Sequence, residues 1–293
     1  MPELPDIEIY REALGTRLIG RRLVAVELKN PFVLRTAVPP LASVFGKTVR
    51  DIERLGKRIV LAFDDDYFLV IHLMIAGRLV WLQETKKAPG RITLARFDFD
   101  QGALALTEAG TKRRASLHCV HGRTALAAMD PGGIDIFAAS LADFSARLTF
   151  ENHTVKNALC DPRLFSGIGN AYSDEILHRA KVSPLALTQK QEPTTIAMLY
   201  TATREVMSEW IERLRAEAAA NFPQRVTAFR PQMAVHGRFG QPCPVCGAPV
   251  QRIVYAENEC NYCARCQTGG VVLADRALSR LLHKSWPRTL DDG

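Results

Sequence analysis

The start of the chain carries an amine and a carboxylate that could act together in catalysis. Pro2 follows the initiator methionine, and Glu3 comes next. Because a small residue after methionine favours removal of Met1, we expect the mature chain to begin with the secondary amine of Pro2. An α-amino group has a pKa of roughly 8, so an unprotonated fraction can attack an aldehyde-like carbon and form an iminium. The Glu3 carboxylate could move protons. These residues alone are also an ordinary start for a protein, so the rest of the chain must decide.

Four cysteines form the clearest metal-binding pattern. Cys243 with Cys246, and Cys263 with Cys266, make two C-x-x-C knuckles separated by sixteen residues. Two such knuckles close a tetrahedral Zn²⁺ site with no open position, which makes the site structural rather than catalytic. Cys260 is interpreted as a free thiol, because its use as a ligand would leave Cys266 without a partner. The residues between the knuckles suit a β-hairpin, so the sequence predicts a zinc finger with one Zn²⁺ ion.

A glycine-containing turn lies between two predicted short helices. Gly167 and Gly169 precede Asn170. Such a turn exposes backbone N–H groups at a helix N-terminus, where phosphate is the commonest anion. Asn170 adds an amide donor, and Lys156 on the preceding helix adds positive charge. The pattern predicts a helix–two-turn–helix that binds a DNA backbone, with an ordinary helix–helix turn as the alternative.

Two further cationic segments lie among predicted strands. Lys57 stands in a turn at the head of one strand, and residues 111–114, which include Arg113, form a basic loop. Both segments suit solvated surface positions. On a basic protein they are also candidate phosphate contacts, which are sensitive to salt and blind to base sequence.

Periodicity indicates an α+β protein of several domains. An N-terminal helix with Asp6 as its cap is followed by eight predicted short strands, which favours an antiparallel β-sandwich. Helices are expected at 154–159, 170–180 and 194–219, and a last one near 274–282. The sequence predicts a catalytic β-sandwich domain at residues 1–120, a connector at 121–150 and a helical domain at 151–236. A zinc finger follows at 237–270 and a helical tail at 271–293.

Composition and charge narrow the class of partner. Lys and Arg number 38 against 31 Asp and Glu, a net charge of +7, and 47% of residues are hydrophobic. A basic balance favours a polyanionic partner. The N-terminus lacks the apolar core of a secretory signal, and the longest apolar run is too short to span a bilayer. We therefore expect an intracellular protein with no membrane partner.

Together these residues resemble the bacterial formamidopyrimidine-DNA glycosylase / endonuclease VIII family. The matching segments, in chain order, are residues 2–5, 55–57, 167–172 and 235–238, followed by the four-cysteine finger. The resemblance implies an N-terminal helix with a β-sandwich, a helical domain with a helix–two-turn–helix, and a C-terminal zinc finger. It also implies double-stranded damaged DNA in the cleft between domains. The expected protein is a cytoplasmic, nucleoid-associated bacterial monomer.

The resemblance also implies residue roles in base-excision repair. Pro2 matches the amine that attacks C1′ of the damaged nucleotide, and Glu3 matches the acid/base that protonates the sugar ring oxygen. Lys57 matches a lysine that contacts phosphate and aids catalysis. Lys156 and Asn170 match a phosphate-binding pair. The implied activity is DNA glycosylase followed by β/δ-elimination at the abasic site.

Several positions depart from the family pattern where side chains enter the DNA. Ile75 stands where a methionine wedge is usual, and Ala115 stands in place of an aromatic residue. An apolar wedge fills the gap left by a flipped base, and Ile75 can serve in this way while Ala115 is too small. Asn258 replaces a finger arginine, for which Arg238 is one candidate substitute. The predicted DNA contacts are therefore Lys156, Asn170, Ile75, Arg113 and Arg238.

These departures leave the excised lesion open among 8-oxoguanine, a ring-opened purine, an oxidised pyrimidine and an abasic site. The alternative function is a non-catalytic or lyase-only binder of damaged or abasic DNA. An RNA-associated zinc-ribbon protein is a third class, which only the positive charge favours.

Overall fold

The computed structural model describes residues 1–83, 89–219, 221–223, 226, 229–255, 258–274 and 288–290. The chain forms two compact units. The first comprises Met1–Pro131 with Trp210–Thr227, and the second comprises Gly132–Glu209 with Ala228–Gly293. The finer domain boundaries expected from the sequence stay a prediction.

The first unit contains two antiparallel sheets and an N-terminal helix. One four-stranded sheet has the order β1-β6-β7-β5, and the other has the order β2-β3-β4-β8. These elements are α1 (Leu4–Leu18), β1 (Leu23–Leu28), β2 (Val49–Leu55), β3 (Arg58–Phe63), β4 (Tyr67–His72), β5 (Gly77–Leu82), β6 (Thr93–Phe99), β7 (Ala103–Glu108) and β8 (Ser116–His121). The predicted β-sandwich is confirmed, because one apolar cluster joins side chains from α1 and both sheets, including Tyr10, Leu61 and Phe97.

The start of α1 positions the N-terminal residues. The helix begins directly after Glu3, with Pro5 in its first turn. Proline is tolerated there because the N–H groups of the first turn have no helical acceptor. The backbone N–H of Glu3 donates to Oδ2 of Asp6 at 3.0 Å. The prediction of Asp6 as the helix cap was wrong, because the cap residue is Glu3. Asp6 is the third residue of the helix, and its side chain accepts from the backbone of Glu3. Glu3 is thereby fixed at the end of a buried helix.

The second unit is mainly helical and ends in the finger. The stretch 121–150, predicted as a connector, contains α2 (Arg123–Ala127) and α3 (Leu141–Leu148). A reciprocal cap between Ser140 and Asp143 starts α3. The remaining elements are α4 (Val155–Cys160), α5 (Asn170–Arg179), α6 (Pro193–Ala218), β9 (Val250–Tyr255), β10 (Asn258–Cys263) and α7 (Ala264–Thr268). Helix α2 and the end of α6 belong to the first unit.

Strands β9 and β10 pair antiparallel, so the predicted hairpin between the cysteine knuckles is confirmed. The helix expected at 274–282 lies outside the described residues except for Ala274. Among the helices of the described part of the chain, none combines the length and apolar character needed to cross a membrane.

Candidate active site and metal centre

The N-terminal amine lies among charged side chains of the first unit. In this structure the amine belongs to Met1, and Pro2 and Glu3 are buried. Burial is the largest influence on the amine and lowers its pKa below the ordinary 8.0, against the negative charge of Glu3. Arg78 lowers the pKa further, Asp6 raises it, and Lys57 lowers it. The terminus therefore carries less positive charge near neutral pH than an exposed amine would.

Lys57 occupies the turn between β2 and β3, where Leu55 pairs with Arg58. Arg58 in turn lies opposite His72 at the end of β4. Burial, followed by the charges of Arg58 and Lys57, lowers the pKa of His72 to about 4. His72 is therefore neutral at physiological pH, and the positive charge beside it comes from the lysine and the arginine.

The turn between β4 and β5 presents the predicted wedge. Ile75 is 54% exposed, and the preceding residue, Met74, has a φ of 53°. A Cβ added to Gly77 would lie 2.2 Å from the carbonyl oxygen of Leu73, so only glycine fits there. Arg78 Nη1 donates to the carbonyl oxygens of Ile75 at 3.3 Å and Gly77 at 2.7 Å. The turn is thus held in a tight conformation with an apolar side chain at its tip.

The basic loop lies before β8. Ala115 is 3% exposed, and its N–H donates to Oε2 of buried Glu108 at 3.0 Å. Its small, buried side chain has no reach into solvent, in accord with the expectation that it is not a wedge. Arg113 is exposed and donates from Nη2 to the carbonyl oxygen of Arg91 at 2.8 Å.

Lys156 lies inside the second unit with its ammonium fully hydrogen-bonded. Its Nζ donates to the Asn170 carbonyl oxygen at 3.1 Å, Ser173 Oγ at 2.9 Å and Asp174 Oδ1 at 2.5 Å. Burial is the largest influence and disfavours the charge, but the Asp174 carboxylate together with Cys260 and Cys160 raises the pKa of Lys156. An ammonium has three N–H donors, and protein acceptors take up all three. Its role as a phosphate contact stays a prediction that requires one of these bonds to exchange.

Two other predicted DNA contacts also have protein partners. Asn170 Nδ2 donates to the carbonyl oxygen of Glu259 at 2.8 Å, which ties the start of α5 to strand β10. Arg238 Nη1 donates to the carbonyl oxygen of Met233 at 2.9 Å, and its Nε donates to Gln241 Oε1 at 3.1 Å. Their contacts with DNA stay predictions as well.

Two adjacent carboxylates of α5, which the sequence analysis did not single out, hold the segment before the finger. Asp174 Oδ2 contacts His236 Nδ1 at 2.8 Å and accepts from the Asn261 backbone N–H at 3.1 Å. Glu175 accepts from the three backbone N–H groups of residues 234–236 at 2.7 to 3.0 Å. Burial raises the pKa of Glu175, while these N–H groups oppose the shift. A pair of acids in an otherwise buried helix is the sequence signal that could have revealed them.

The four knuckle cysteines converge as predicted. Their Sγ atoms all lie within 4.8 Å of one another. The Sγ atoms of Cys246 and Cys263 are 3.4 Å apart, and those of Cys243 and Cys266 are 3.9 Å apart. Four thiolates gathered at one point fit a single structural zinc ion. Cys260 is not one of the four, and burial raises the pKa of its thiol.

Three family models together match most of the chain. The formamidopyrimidine-DNA glycosylase N-terminal domain matches residues 1–116, its H2TH domain matches 133–219, and the zinc finger found in FPG and IleRS matches 240–269.

Individual proteins agree with these models. A formamidopyrimidine-DNA glycosylase of Solibacter usitatus is 30% identical over 281 residues, covering 91% of this chain and 99% of that protein. A formamidopyrimidine-DNA glycosylase-like protein of Mycobacterium tuberculosis is 39% identical over 155 residues, covering 53% of this chain and 94% of that protein. The Lactococcus lactis Fpg in complex with abasic-site DNA has a TM-score of 0.81 at 24% identity, covering 91% of this chain and 99% of that one, which supports the fold alone. By its sequence, the chain belongs to the formamidopyrimidine-DNA glycosylase family.

Proposed function

We propose that this protein, acting as a monomer, removes damaged bases from double-stranded DNA and then cleaves the abasic site, with the Pro2 amine as nucleophile. The observation that carries the proposal is the environment of the N-terminus. Burial and the cations Arg78 and Lys57 favour an uncharged amine at Met1, and we expect the same surroundings to favour an uncharged amine on Pro2 once Met1 is removed. The similar proteins named above are glycosylases, which supports base removal.

The first chemical stage replaces the base by the protein. The Pro2 nitrogen attacks C1′, the glycosidic bond breaks with its electrons going to the base, and the base takes a proton from water. The Glu3 carboxylate accepts the proton of the attacking nitrogen and passes it to the ring oxygen, the ring opens, and an iminium joins C1′ to the Pro2 nitrogen. Removal of Met1 is essential, because an amide nitrogen has no available electron pair.

The second stage cleaves the strand by elimination. The iminium makes the C2′ proton acidic, and its loss expels the 3′ phosphate. A further elimination expels the 5′ phosphate, and water then releases the sugar fragment from Pro2. Lys57, next to the N-terminus, is assigned to the phosphate whose charge increases as it leaves.

Base flipping on this chain is assigned to a single wedge. The target base must leave the duplex before C1′ can be reached, and the gap needs an apolar occupant. Ile75 is exposed at the tip of a fixed turn, whereas Ala115 is buried. Ile75 is therefore the proposed occupant.

A lesion panel with borohydride trapping tests the proposal. Protein whose N-terminal Pro2 has been verified by mass spectrometry is mixed with duplexes that contain 8-oxoguanine, a ring-opened purine, an oxidised pyrimidine or an abasic site. We expect a covalent adduct and strand cleavage with the abasic duplex and with at least one damaged base. DNA binding without any adduct would rule out the iminium mechanism.

The same panel tests the wedge. Ile75→Ala should slow action on the damaged base more than on the abasic site, which lacks a base to displace. Ile19→Ala is the matched control, because Ile19 is similarly exposed, at 51%, in the same unit. An equal loss on both substrates would count against Ile75 as the wedge.

A lyase-only or non-catalytic binder is the second candidate, and the buried Ala115 is the observation that favours it. Such a protein would act on ready-made abasic sites or not at all. Binding of damaged or abasic duplexes with no base released from any lesion would identify it.

The rate of trapping should rise with pH through the pKa of the amine, since only the free base attacks. Arg78 lowers the pKa of the Met1 amine, and we expect its charge to act in the same way on the Pro2 amine, so Arg78→Gln removes a charge that lowers the pKa of the nucleophile. The pKa should therefore rise, so trapping should become slower near neutral pH and return toward the wild-type rate at higher pH. Arg96→Gln, on β6, serves as the control. If the rate of trapping falls by the same factor at every pH, Arg78 acts only through the turn that it holds.

A further inference from the structure

His178 lies against one of the zinc ligands. It belongs to the last turn of α5, its side chain is buried, and its Nε2 lies 3.2 Å from Sγ of Cys243. Both residues belong to the second unit. Neither the family models nor the sequence pattern of the finger assigns a role to this histidine.

The chemistry of the sulfur sets the direction of this hydrogen bond. A cysteine bound to Zn²⁺ is a thiolate with no proton, so it can only accept. The imidazole must therefore carry a proton on Nε2 and donate it to the sulfur. Such an N–H···S bond withdraws electron density from the thiolate, which weakens its attack on electrophiles and fixes its orientation around the metal.

The contact also lies at one end of a longer attachment between α5 and the finger. Asn170 at the first turn of α5 bonds to the Glu259 carbonyl oxygen, and Asp174 in the middle bonds to the Asn261 N–H. Beyond the helix, Gln267 Nε2 donates to the Val182 carbonyl oxygen at 2.9 Å. Gln267 Oε1 also accepts from the backbone N–H of Cys263 at 2.8 Å, whereas His178 contacts the sulfur of a predicted zinc ligand.

We propose that His178 is a positioning residue of the structural zinc site. Its hydrogen bond shields the Cys243 thiolate from oxidants and holds the Cys243–Cys246 knuckle against α5. Hydrogen peroxide is the relevant class of oxidant. The thiolate attacks one peroxide oxygen, the O–O bond breaks, hydroxide leaves, and the sulfur keeps the OH group as a sulfenic acid, which is a poor zinc ligand. A donated hydrogen bond slows this step because it lowers the nucleophilicity of the sulfur.

The test is zinc release in the presence of peroxide and a colorimetric chelator. His178→Phe keeps a ring without the donor, and we expect it to release zinc about tenfold faster than wild type. His178→Gln keeps an N–H donor and should restore much of the difference. Asn261→Ala is the control. Asn261 Oδ1 accepts from the Gly237 N–H at 2.7 Å, so this substitution loosens the finger without removing a contact to sulfur. Equal release by wild type and His178→Phe, or by His178→Phe and His178→Gln, would overturn the proposal.

A spectroscopic measurement on the wild-type chain does not depend on how the variants fold. In protein loaded with ¹¹³Cd, the imidazole N–H proton of His178 should show scalar coupling to the metal through the sulfur. An Nε2 proton that exchanges slowly enough to be observed but shows no coupling would also overturn the proposal.

Discussion

A chain that keeps residues ahead of Pro2 should lose covalent trapping on abasic DNA by at least about 10³-fold, in line with the loss of other catalytic nucleophiles. The reason is electronic, because the Pro2 nitrogen is then an amide. The sharpest comparison uses one preparation with a removable N-terminal extension, assayed before and after cleavage exposes Pro2. Trapping should appear only after cleavage, and mass spectrometry of the adduct should place the sugar on Pro2.

Two controls separate chemistry from access. Affinity for a duplex with a stable abasic analogue shows whether the extension blocks DNA. Pro2→Gly, processed to a free glycine amine, leaves the terminus open and should still trap only weakly, because a flexible primary amine replaces a fixed secondary one. If the extended chain traps as well as the processed chain, the nucleophile is another amine, and Lys57 would be the first to examine.

The features that the sequence predicts well are those encoded by short spacings. The two C-x-x-C knuckles, the hairpin between them and the glycine turn before Asn170 each need only a few neighbouring residues. The strands of the sandwich follow from short runs rich in β-branched and aromatic residues, separated by turn signals. The start of α1 was misplaced by a few residues because Glu3 and Asp6 both suit a helix N-terminus, and the two form a reciprocal cap in which Glu3 is the cap residue and Asp6 the third residue of the helix.

The features that the sequence analysis did not find depend on distant parts of the chain. Asp174 meets Asn261 across 87 positions, and His178 meets Cys243 across 65. Lys156 is another example, since its charge alone suggested a phosphate contact. The fold surrounds its ammonium with three protein acceptors that the sequence pattern did not indicate. The spacing of residues along the sequence cannot predict such partners, because they depend on how α5 packs against the hairpin.

The contacts of Asp174 predict the largest loss of stability from a single substitution in the second unit. Asp174→Leu would leave the buried ammonium of Lys156 without a counter-charge, and the Asn261 N–H and His236 Nδ1 without their acceptor. Breaking a buried ion pair from one side costs about 3–5 kcal/mol. We expect a fall of this size in the free energy of unfolding, measured by urea denaturation followed by far-UV circular dichroism.

The double variant Lys156→Met with Asp174→Leu distinguishes an unpaired charge from lost packing. Removing both charges should recover part of the loss, because no ion is then buried alone. Glu205→Gln is the matched control, since Glu205 pairs with Arg179 at 3.4 Å on the exposed surface of the same unit. Its cost should be below about 1 kcal/mol. A double variant that is no more stable than Asp174→Leu would assign the loss to packing.

The network also predicts what destabilisation does to function. Asp174 and Glu175 hold residues 234–236 and strand β10, and β10 in turn holds the Asn170 side chain. Asp174→Leu should therefore weaken DNA affinity under conditions where the protein is still folded, with the N-terminal chemistry unchanged. Trapping on abasic DNA at saturating protein should then proceed at the wild-type rate. A slower rate at saturation would mean that the network serves the chemical step as well as the binding of DNA.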